Sequence, residues 1–340
     1  MSLLTLYIDH PSAQLEFANG AVYVRGPEGQ VRSFPPGLLR SVVISSNIQL
    51  QVQTLAALSL QQIGITIFHP RRRAWCLVHG PLGGNALRRL AQYQAAMDPQ
   101  RRGQLATLLV RLKVHAQLRI ATEMLEIDRA ARHAFLKARD FLAQSLANLK
   151  KTRYDIHSLL GLEGACAAAY FSAYAELFPA SLNFSGRNRR PPRDPVNAVL
   201  SLSSVLLHAE AVQTAVAASF DPAIGFLHGA AYGRPSLACD LVEPLRAPME
   251  RFVWSLFRER ILRKEHFQSG SYGCLLGKAG RQAFYQEWDR FRPQVARRMK
   301  RMVGMLARAL EPVVQQISAE SVAESLMEEV ELNAGSLSAS

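Results

Sequence analysis

The hydrophobic pattern of this chain changes once, at the short segment Gly80-Pro81-Leu82-Gly83-Gly84. Before it, short runs of β-branched and aromatic residues are separated by turn signals such as Asn19-Gly20, which is typical of strands. After it, apolar residues recur at helical spacing from about Asn85 to Arg308. Such a chain is expected to be an α+β multidomain protein. The expected parts are a small β-rich N-terminal domain over residues 1–80, a linker over 81–95, a larger all-α domain over 96–310 and an acidic Ser/Ala/Glu-rich tail over 311–340.

The first part is predicted to contain one helix among seven strands. The helix spans about Gln51 to Gln62 and ends before Gly64. The strands are predicted at Leu3–Ile8, Gln14–Phe17, Ala21–Val24, Val31–Phe34, Ser41–Ile44, Ile65–Phe68 and Trp75–Val78. In the second part, Asp98-Pro99 and Asp194-Pro195 predict helix starts, because an acidic cap precedes a proline at the first helical position.

The chain is strongly basic. Its 340 residues contain 40 Lys and Arg against 27 Asp and Glu, which gives a net charge of +13. Six glutamates follow the last basic residue, Arg308, so the positive excess is concentrated before Glu311. A body this basic is expected to attract a polyanion, because neutralised phosphates release condensed counterions. Net charge alone does not distinguish among three possible partners: nucleic acid, an anionic membrane and an acidic protein.

The cysteines and the N-terminal sequence indicate the cellular compartment in which the protein is expected. Cys76, Cys166, Cys239 and Cys274 are scattered and form no Cys-x-x-Cys pair, so a zinc cluster is not expected. Unpaired thiols are typical of a reducing cytoplasm. The N-terminus lacks a basic start before a long apolar core, and no stretch looks apolar for long enough to span a bilayer. We therefore expect a cytoplasmic protein with no membrane partner.

Three stretches of the helical part carry candidate chemistry. In GLEGACAAAYF, Glu163 begins a run of very small residues that allows close approach, and in DPAIGFLHG, His228 precedes a glycine. In SLACDLVEPLRAP, Asp240 and Glu243 are three residues apart and are expected on one helical face, with Arg246 three further on. Each stretch also has a structural interpretation: a first-turn acid favoured by the helix dipole, a hydrogen-bonded histidine and a solvated ion pair.

Together these side chains offer carboxylates and one imidazole. Mg²⁺ and Mn²⁺ are hard ions that prefer oxygen ligands, and the imidazole favours tolerance of Mn²⁺. In a strongly basic protein, such a cluster suits a phosphodiester, where a metal stabilises developing charge and activates the attacking oxygen.

The order of four motifs carries a resemblance. GLEG, RPPRDPVN, DPAIGFLHG and DLVEPLR, in this order, resemble the integrase family of CRISPR adaptation, which inserts new spacers. The N-terminal segments RSVVISSNIQL and GITIFHP are similar to the first domain of that family, so the likeness covers roughly Leu3 to Arg308. The resemblance implies that the helical domain is catalytic and that the β-rich domain makes dimer and partner contacts.

The resemblance also implies a site. Glu163, His228 and Glu243 fall on the metal ligands of the family, and Asp240 falls on a second acidic position close to the metal. All four are expected to be catalytic, with Mg²⁺ or Mn²⁺ as the cofactor. We expect Glu243 to be the direct ligand and Asp240 to be a supporting carboxylate.

The implied reaction is the attack of DNA 3′-hydroxyls on phosphodiesters at the end of a CRISPR repeat. The implied partners are double-stranded DNA, as prespacer and repeat, a second copy of the chain in a homodimer, and a small ferredoxin-like subunit. Candidate DNA contacts are Arg187, Arg189, Arg190, Arg193, Lys278 and Arg281, and a solvated surface explains the arginine loop equally well. The alternatives are a metal-dependent nuclease acting on branched DNA or repair intermediates and a non-catalytic DNA-binding scaffold.

Overall fold

The N-terminal part of the chain forms two four-stranded sheets around one helix in the computed structural model, which describes residues 4–69, 74–80, 84–188, 191–270 and 273–337. In sequence order the elements are β1 Leu4–Ile8, β2 Gln14–Ala18, β3 Ala21–Arg25, β4 Val31–Phe34, β5 Leu39–Ile44, β6 Gln49–Leu50, α1 Val52–Leu60, β7 Gly64–His69 and β8 Ala74–Val78. One sheet has the order β1-β5-β7-β8 and the other β4-β3-β2-β6. The helix and all seven strands expected in this part are present, and the short strand β6 is an addition.

Local sequence explains these elements. Asn19 and Gly20 both have positive φ, 48° and 72°, so they form the two-residue turn that joins β2 and β3, as expected of an Asn-Gly pair. Side chains that alternate along the strands, such as Leu15, Val22 and Val42, are almost completely buried in a core that also contains Leu58 of α1.

The rest of the chain is mainly helical and contains the larger core. Its elements are α2 Ala86–Met97, α3 Pro99–Ile127, α4 Arg132–Lys151, α5 Ile156–Ala175, α6 Pro195–Ala217, α7 Ser236–Val242, α8 Arg246–Arg258, β9 Phe267–Gly270, β10 Gly273–Leu276 and α9 Lys278–Leu337. The Asp98 side chain accepts hydrogen bonds from the amides of Gln100 and Arg101, and that of Asp194 from the amide of Asn197, so both expected caps are present.

Three boundaries differ from expectation. Helix α2 begins at Ala86, so residues 86–95 of the segment expected to be a linker are helical. The antiparallel pair β9–β10 interrupts the part expected to be all-α. Helix α9 continues without a break from Lys278 to Leu337, so the acidic segment after Glu311 extends a helix of the body.

Helix α6 also differs from expectation, because it is long and apolar enough to cross a membrane by length and composition. Of its most apolar 18-residue window, 67% is buried inside the protein. The sequence expectation that no stretch reaches that length is therefore corrected. The core of the helical part accounts for the apolar character of α6, since residues such as Val199, Leu207 and Ala211 are fully buried there.

The two parts are joined by specific contacts. Tyr7 of β1 stacks on Tyr285 of α9, with ring centroids 4.0 Å apart, and its hydroxyl donates to Oδ1 of Asp289 at 2.9 Å. Arg40 of β5 forms an ion pair with Glu210 of α6.

Candidate metal centre

Helices α3 and α5 and the short 3₁₀ turn Glu243–Leu245 meet around one buried positive charge. The Nζ atom of Lys113, on α3, donates to Oε1 of Glu163 and to Oε2 of Glu243. The side chains of Lys113 and Glu243 are 4% and 8% exposed, and that of Glu163 is 17% exposed. The fold therefore brings two of the predicted metal ligands to opposite sides of a single cation.

The positions of the two glutamates follow from local structure. Helix α5 begins at Ile156, capped by Asp155, so Glu163 lies well inside the helix and the interpretation as a first-turn acid is wrong. Helix α7 ends at Val242, and Pro244 then forces a 3₁₀ turn that begins at Glu243. This change of geometry turns the Glu243 carboxylate toward α3.

Glu243 is held between two cations. Besides Lys113, Nε of Arg246 donates to its Oε1 at 2.7 Å, so the expected pair with Arg246 is present but buried. Burial opposes the charge on Glu243, yet Arg246 and Lys113 outweigh burial and lower the pKa of Glu243 to about 2. Burial alone would lower the pKa of Lys113, but Glu243 and Glu163 raise it above its usual value. Glu243 and its two cationic partners, Lys113 and Arg246, are therefore charged at neutral pH.

Asp240 has a different role from Glu243 although the two are three residues apart. It is completely buried, and its Oδ2 accepts hydrogen bonds from the amides of Phe226 and Leu227 at 2.6 and 3.0 Å. Its Oδ1 accepts from the amide of His228 at 3.0 Å and pairs with Nδ1 of the imidazole at 2.7 Å. Both oxygens of Asp240 are thus used to hold the loop that carries His228.

The imidazole of His228 is oriented by this contact. The hydrogen bond to Asp240 raises the pKa of His228 above its usual value, against the opposing effect of burial. With Nδ1 engaged, Nε2 is the nitrogen that can coordinate a metal, and histidine ligands commonly have such a carboxylate behind them. The hydrogen-bonded interpretation of His228 is therefore correct and is compatible with metal binding.

Neighbouring elements hold the same loop. Nε2 of Gln92, on α2, donates to the carbonyl oxygens of Asp221 and Ile224 at 2.9 and 2.6 Å. Nε of Arg102, on α3, donates to the carbonyl oxygen of Phe226 at 2.9 Å. Gly225 is required here, because a Cβ atom would lie 2.7 Å from the carbonyl oxygen of His228 and 2.8 Å from Oδ2 of Asp240.

The donor set fits a hard divalent ion, although the described residues contain no group of three His, Cys, Asp or Glu side chains close enough to hold one as they stand. Glu163 and Glu243 already share the ammonium of Lys113. The charge of Glu243 also acts on the imidazole of His228 and raises its pKa. Glu163 and Glu243 would supply oxygen ligands and His228 its Nε2 atom.

Lys113 was missed by sequence reasoning. It lies in the run LLVRLKVHAQL, where its neighbours Leu109, Val110 and Val114 are buried. A single lysine on the apolar face of a predicted helix is the signal that could have found it, because such a residue needs a buried partner.

The candidate DNA contacts fall into separate groups. Arg193 and Lys278 are exposed on the surface. Arg187 is engaged within the protein, since Nη1 donates to the carbonyl oxygen of Asn188 and to Oδ1 of Asn197. Arg281 likewise donates to the carbonyl oxygen of Leu276 and forms an ion pair with Asp9 across the two parts of the chain. The geometry of Arg281 thus favours a structural role over the expected DNA contact. Arg189 and Arg190 lie outside the described residues.

A basic protein in which two glutamates share the ammonium of Lys113, with an oriented histidine in the same part of the fold, has the residue types of a metal-dependent enzyme acting on phosphodiesters. Comparison with known proteins gives the family. The profile of the CRISPR associated protein Cas1 matches residues 6–290. A CRISPR-associated endonuclease Cas1 of Thermodesulfovibrio yellowstonii is 35% identical over 291 residues, which are 84% of this chain and 91% of the relative. The chain belongs to the Cas1 family.

Solved structures agree with this assignment at the level of the fold. A Cas1 protein from Thermotoga maritima has a TM-score of 0.78 at 20% identity, over 91% of this chain and 97% of that chain. A casposase bound to its integration product has a TM-score of 0.77 at 19% identity, over 91% of each chain. The expected family, the α+β fold class and the role as a CRISPR-associated endonuclease are confirmed. The family is metal-dependent.

Proposed function

We propose that Glu163, His228 and Glu243 together hold one Mg²⁺ or Mn²⁺ ion, and that DNA strand joining takes place beside it. The observation that carries this proposal is that Glu163 and Glu243 share one cation, the ammonium of Lys113. The imidazole of His228, which Asp240 orients, belongs to the same proposed site. A divalent ion supplies charge stabilisation at the phosphodiester and activates the attacking oxygen. Asp240 acts as a positioning residue, because all its contacts are to the His228 loop.

The reaction is a phosphodiester exchange. The 3′-hydroxyl of the incoming DNA loses its proton, and its oxygen forms a bond to phosphorus at the end of a CRISPR repeat. The bond from that phosphorus to the 3′-oxygen of the repeat strand breaks, and the leaving oxygen takes up a proton. One phosphodiester forms for each one broken, so no nucleotide triphosphate is needed. Arg193 and Lys278, exposed on the basic body, are the described candidates for holding the phosphates.

The proposed partners are those that the resemblance to the family implies. Double-stranded DNA serves as prespacer and as repeat, two copies of the chain form a homodimer, and a small ferredoxin-like subunit joins such dimers. A solved Cas6-RT-Cas1–Cas2 complex is similar to this chain, with a TM-score of 0.77 at 20% identity over 92% of this chain and 35% of that chain. That likeness supports the choice of partner through the fold alone.

The test is a joining reaction with the purified chain, a small ferredoxin-like partner subunit, a short duplex with free 3′-hydroxyls, a repeat-bearing plasmid and Mn²⁺. We expect a covalent junction between duplex and plasmid, lost with Glu163→Gln and with EDTA. Plasmid cleavage without joining would favour the nuclease acting on branched DNA. DNA binding without joining or cleavage, unchanged by Glu163→Gln and EDTA, would favour the non-catalytic scaffold. Joining that Glu163→Gln and EDTA leave unchanged would reject the metal site.

A further inference from the structure

The buried ammonium of Lys113 contacts the same two carboxylates that are proposed to bind the metal. Its side chain is 4% exposed and reaches the site from the apolar face of α3. It donates to Oε1 of Glu163 and to Oε2 of Glu243, one oxygen from each carboxylate. A lysine that served only to bury one acid would need one partner, whereas this one lies between two acids from separate elements.

The local charges balance without a metal. Glu163 and Glu243 are negative, and Lys113 and Arg246 are positive, with Arg246 bound to the other oxygen of Glu243. Two carboxylates that approach each other in a buried site repel strongly unless a cation lies between them. The ammonium provides that cation, and its long unbranched stem allows the charge to move by several ångströms through rotation of single bonds.

We propose that Lys113 occupies the metal position in the metal-free protein and holds Glu163 and Glu243 together until a divalent ion displaces its ammonium. The inference rests on the proposed metal site. A divalent ion that enters must break both Lys113 contacts and tolerate a nearby positive charge, so Lys113 weakens metal binding. In return, Lys113 stabilises the metal-free fold, because without it no cation lies between the Glu163 and Glu243 carboxylates and only Glu243 keeps a partner, Arg246.

Two measurements on the full-length protein test the inference. Calorimetric titration with MnCl₂ gives the dissociation constant, and thermal melting in EDTA gives the stability of the metal-free state. Lys113→Met keeps the length of the side chain and removes its charge. We expect Lys113→Met to bind Mn²⁺ at least tenfold more tightly than the original protein and to melt at a lower temperature in EDTA. Added Mn²⁺ should raise its melting temperature by more than that of the original protein.

Controls separate the possible results. Lys151→Met makes the same change at an exposed position at the end of α4 and should alter neither quantity. If Lys113→Met does not fold in EDTA, Lys113→Gln retains a hydrogen-bond donor without the charge and should also bind Mn²⁺ several-fold more tightly. Tighter binding in either variant supports the inference.

Failure of the inference differs from failure of the metal site. The heat of Mn²⁺ binding should be lost in His228→Ala if the site is correct. If that heat is His228-dependent but neither Lys113 variant binds Mn²⁺ more tightly than the original protein, the role of Lys113 is overturned and the metal site stands. If Mn²⁺ binding is absent, or is indifferent to His228→Ala, both proposals are overturned.

Discussion

Asp240 accepts a hydrogen bond from the backbone amide of His228 and another from its imidazole, so one buried carboxylate fixes both the position and the orientation of the proposed ligand. Its other oxygen, Oδ2, accepts hydrogen bonds from the backbone amides of Phe226 and Leu227. The contribution of Asp240 to the site is therefore transmitted through the His228 loop.

The first prediction concerns this carboxylate. Asp240→Asn replaces one acceptor oxygen by an amide group that cannot accept, so at least one buried N–H loses its partner. We expect the free energy of unfolding to fall by about 3 kcal/mol. Mn²⁺ affinity should fall by roughly 10- to 100-fold. Urea denaturation and calorimetric titration measure the two effects.

The matched control is Asp140→Asn. Asp140 is 69% exposed and pairs with Arg139 at the surface of α4, so its change should cost about 0.5 kcal/mol or less. Equal stability losses in the two variants would contradict the anchoring role of Asp240.

The second prediction concerns the close approach of backbone at Gly225. In Gly225→Ala the new Cβ atom would lie 2.7 Å from the carbonyl oxygen of His228 and 2.8 Å from Oδ2 of Asp240. The loop must move to relieve these contacts, and we expect the free energy of unfolding to fall by about 2 kcal/mol. Urea denaturation in EDTA measures this loss without a contribution from metal.

Gly161 provides the comparison, since a Cβ atom there meets nothing within 4 Å and the residue lies in α5. Gly161→Ala should raise the free energy of unfolding by about 0.5–1 kcal/mol, because alanine loses less backbone entropy in a helix. A Gly225→Ala protein as stable as Gly161→Ala would show that the packing around the His228 loop is looser than described.

The third prediction concerns pH. Glu250, on α8, is buried beneath the site, and burial raises the pKa of its carboxyl to about 7 from an ordinary value of 4.5. The folded protein therefore keeps a proton that the unfolded chain has already lost, so the free energy of unfolding falls as pH rises from about 4.5 to about 7. The full effect of one such group is about 3 kcal/mol. The charges that face Glu250 are those of Arg246, Lys113, Glu243 and Arg187.

The measurement is the free energy of unfolding against pH for the original protein and Glu250→Gln. The amide does not titrate, so the variant should lose less stability between pH 4.5 and 7. Glu259→Gln, at an exposed position, should leave the pH dependence unchanged. Parallel curves for the original protein and Glu250→Gln would show that Glu250 ionises normally in the fold.

Much of the fold could be predicted because its signals are local. The Asn19-Gly20 turn, the Asp98 and Asp194 caps and the strand runs each depend on neighbouring residues, and all are present. The β9–β10 pair was missed for the opposite reason. Strand β9 has the sequence FQSG and β10 the sequence GCLL, and neither contains the β-branched residues that indicate a strand. Helical spacing from about Asn85 agrees with α2, which Asn85 caps.

The sequence allowed the residues of the site to be predicted, but not which side chains they contact. Motif order identified the four proposed site residues, Glu163, His228, Asp240 and Glu243. The spacing of Asp240 and Glu243 predicted that they lie on one helical face. It did not show that Asp240 binds the His228 loop whereas Glu243 binds Arg246. Lys113 lies 50 residues from Glu163 and 130 from Glu243, and such a pairing arises only when α3 packs against both elements. No local pattern encodes which buried acid a buried lysine will meet.

The many anchors of the His228 loop have a consequence for affinity. Gln92, Arg102 and Asp240 attach the loop to three helices, so the freedom of this segment is already lost when the chain folds. An incoming ion then meets an imidazole that needs no further ordering, and little binding free energy is spent on immobilising that ligand. Glu163 and Glu243 contribute a different cost, because their contacts with Lys113 must break before either carboxylate can turn to the ion.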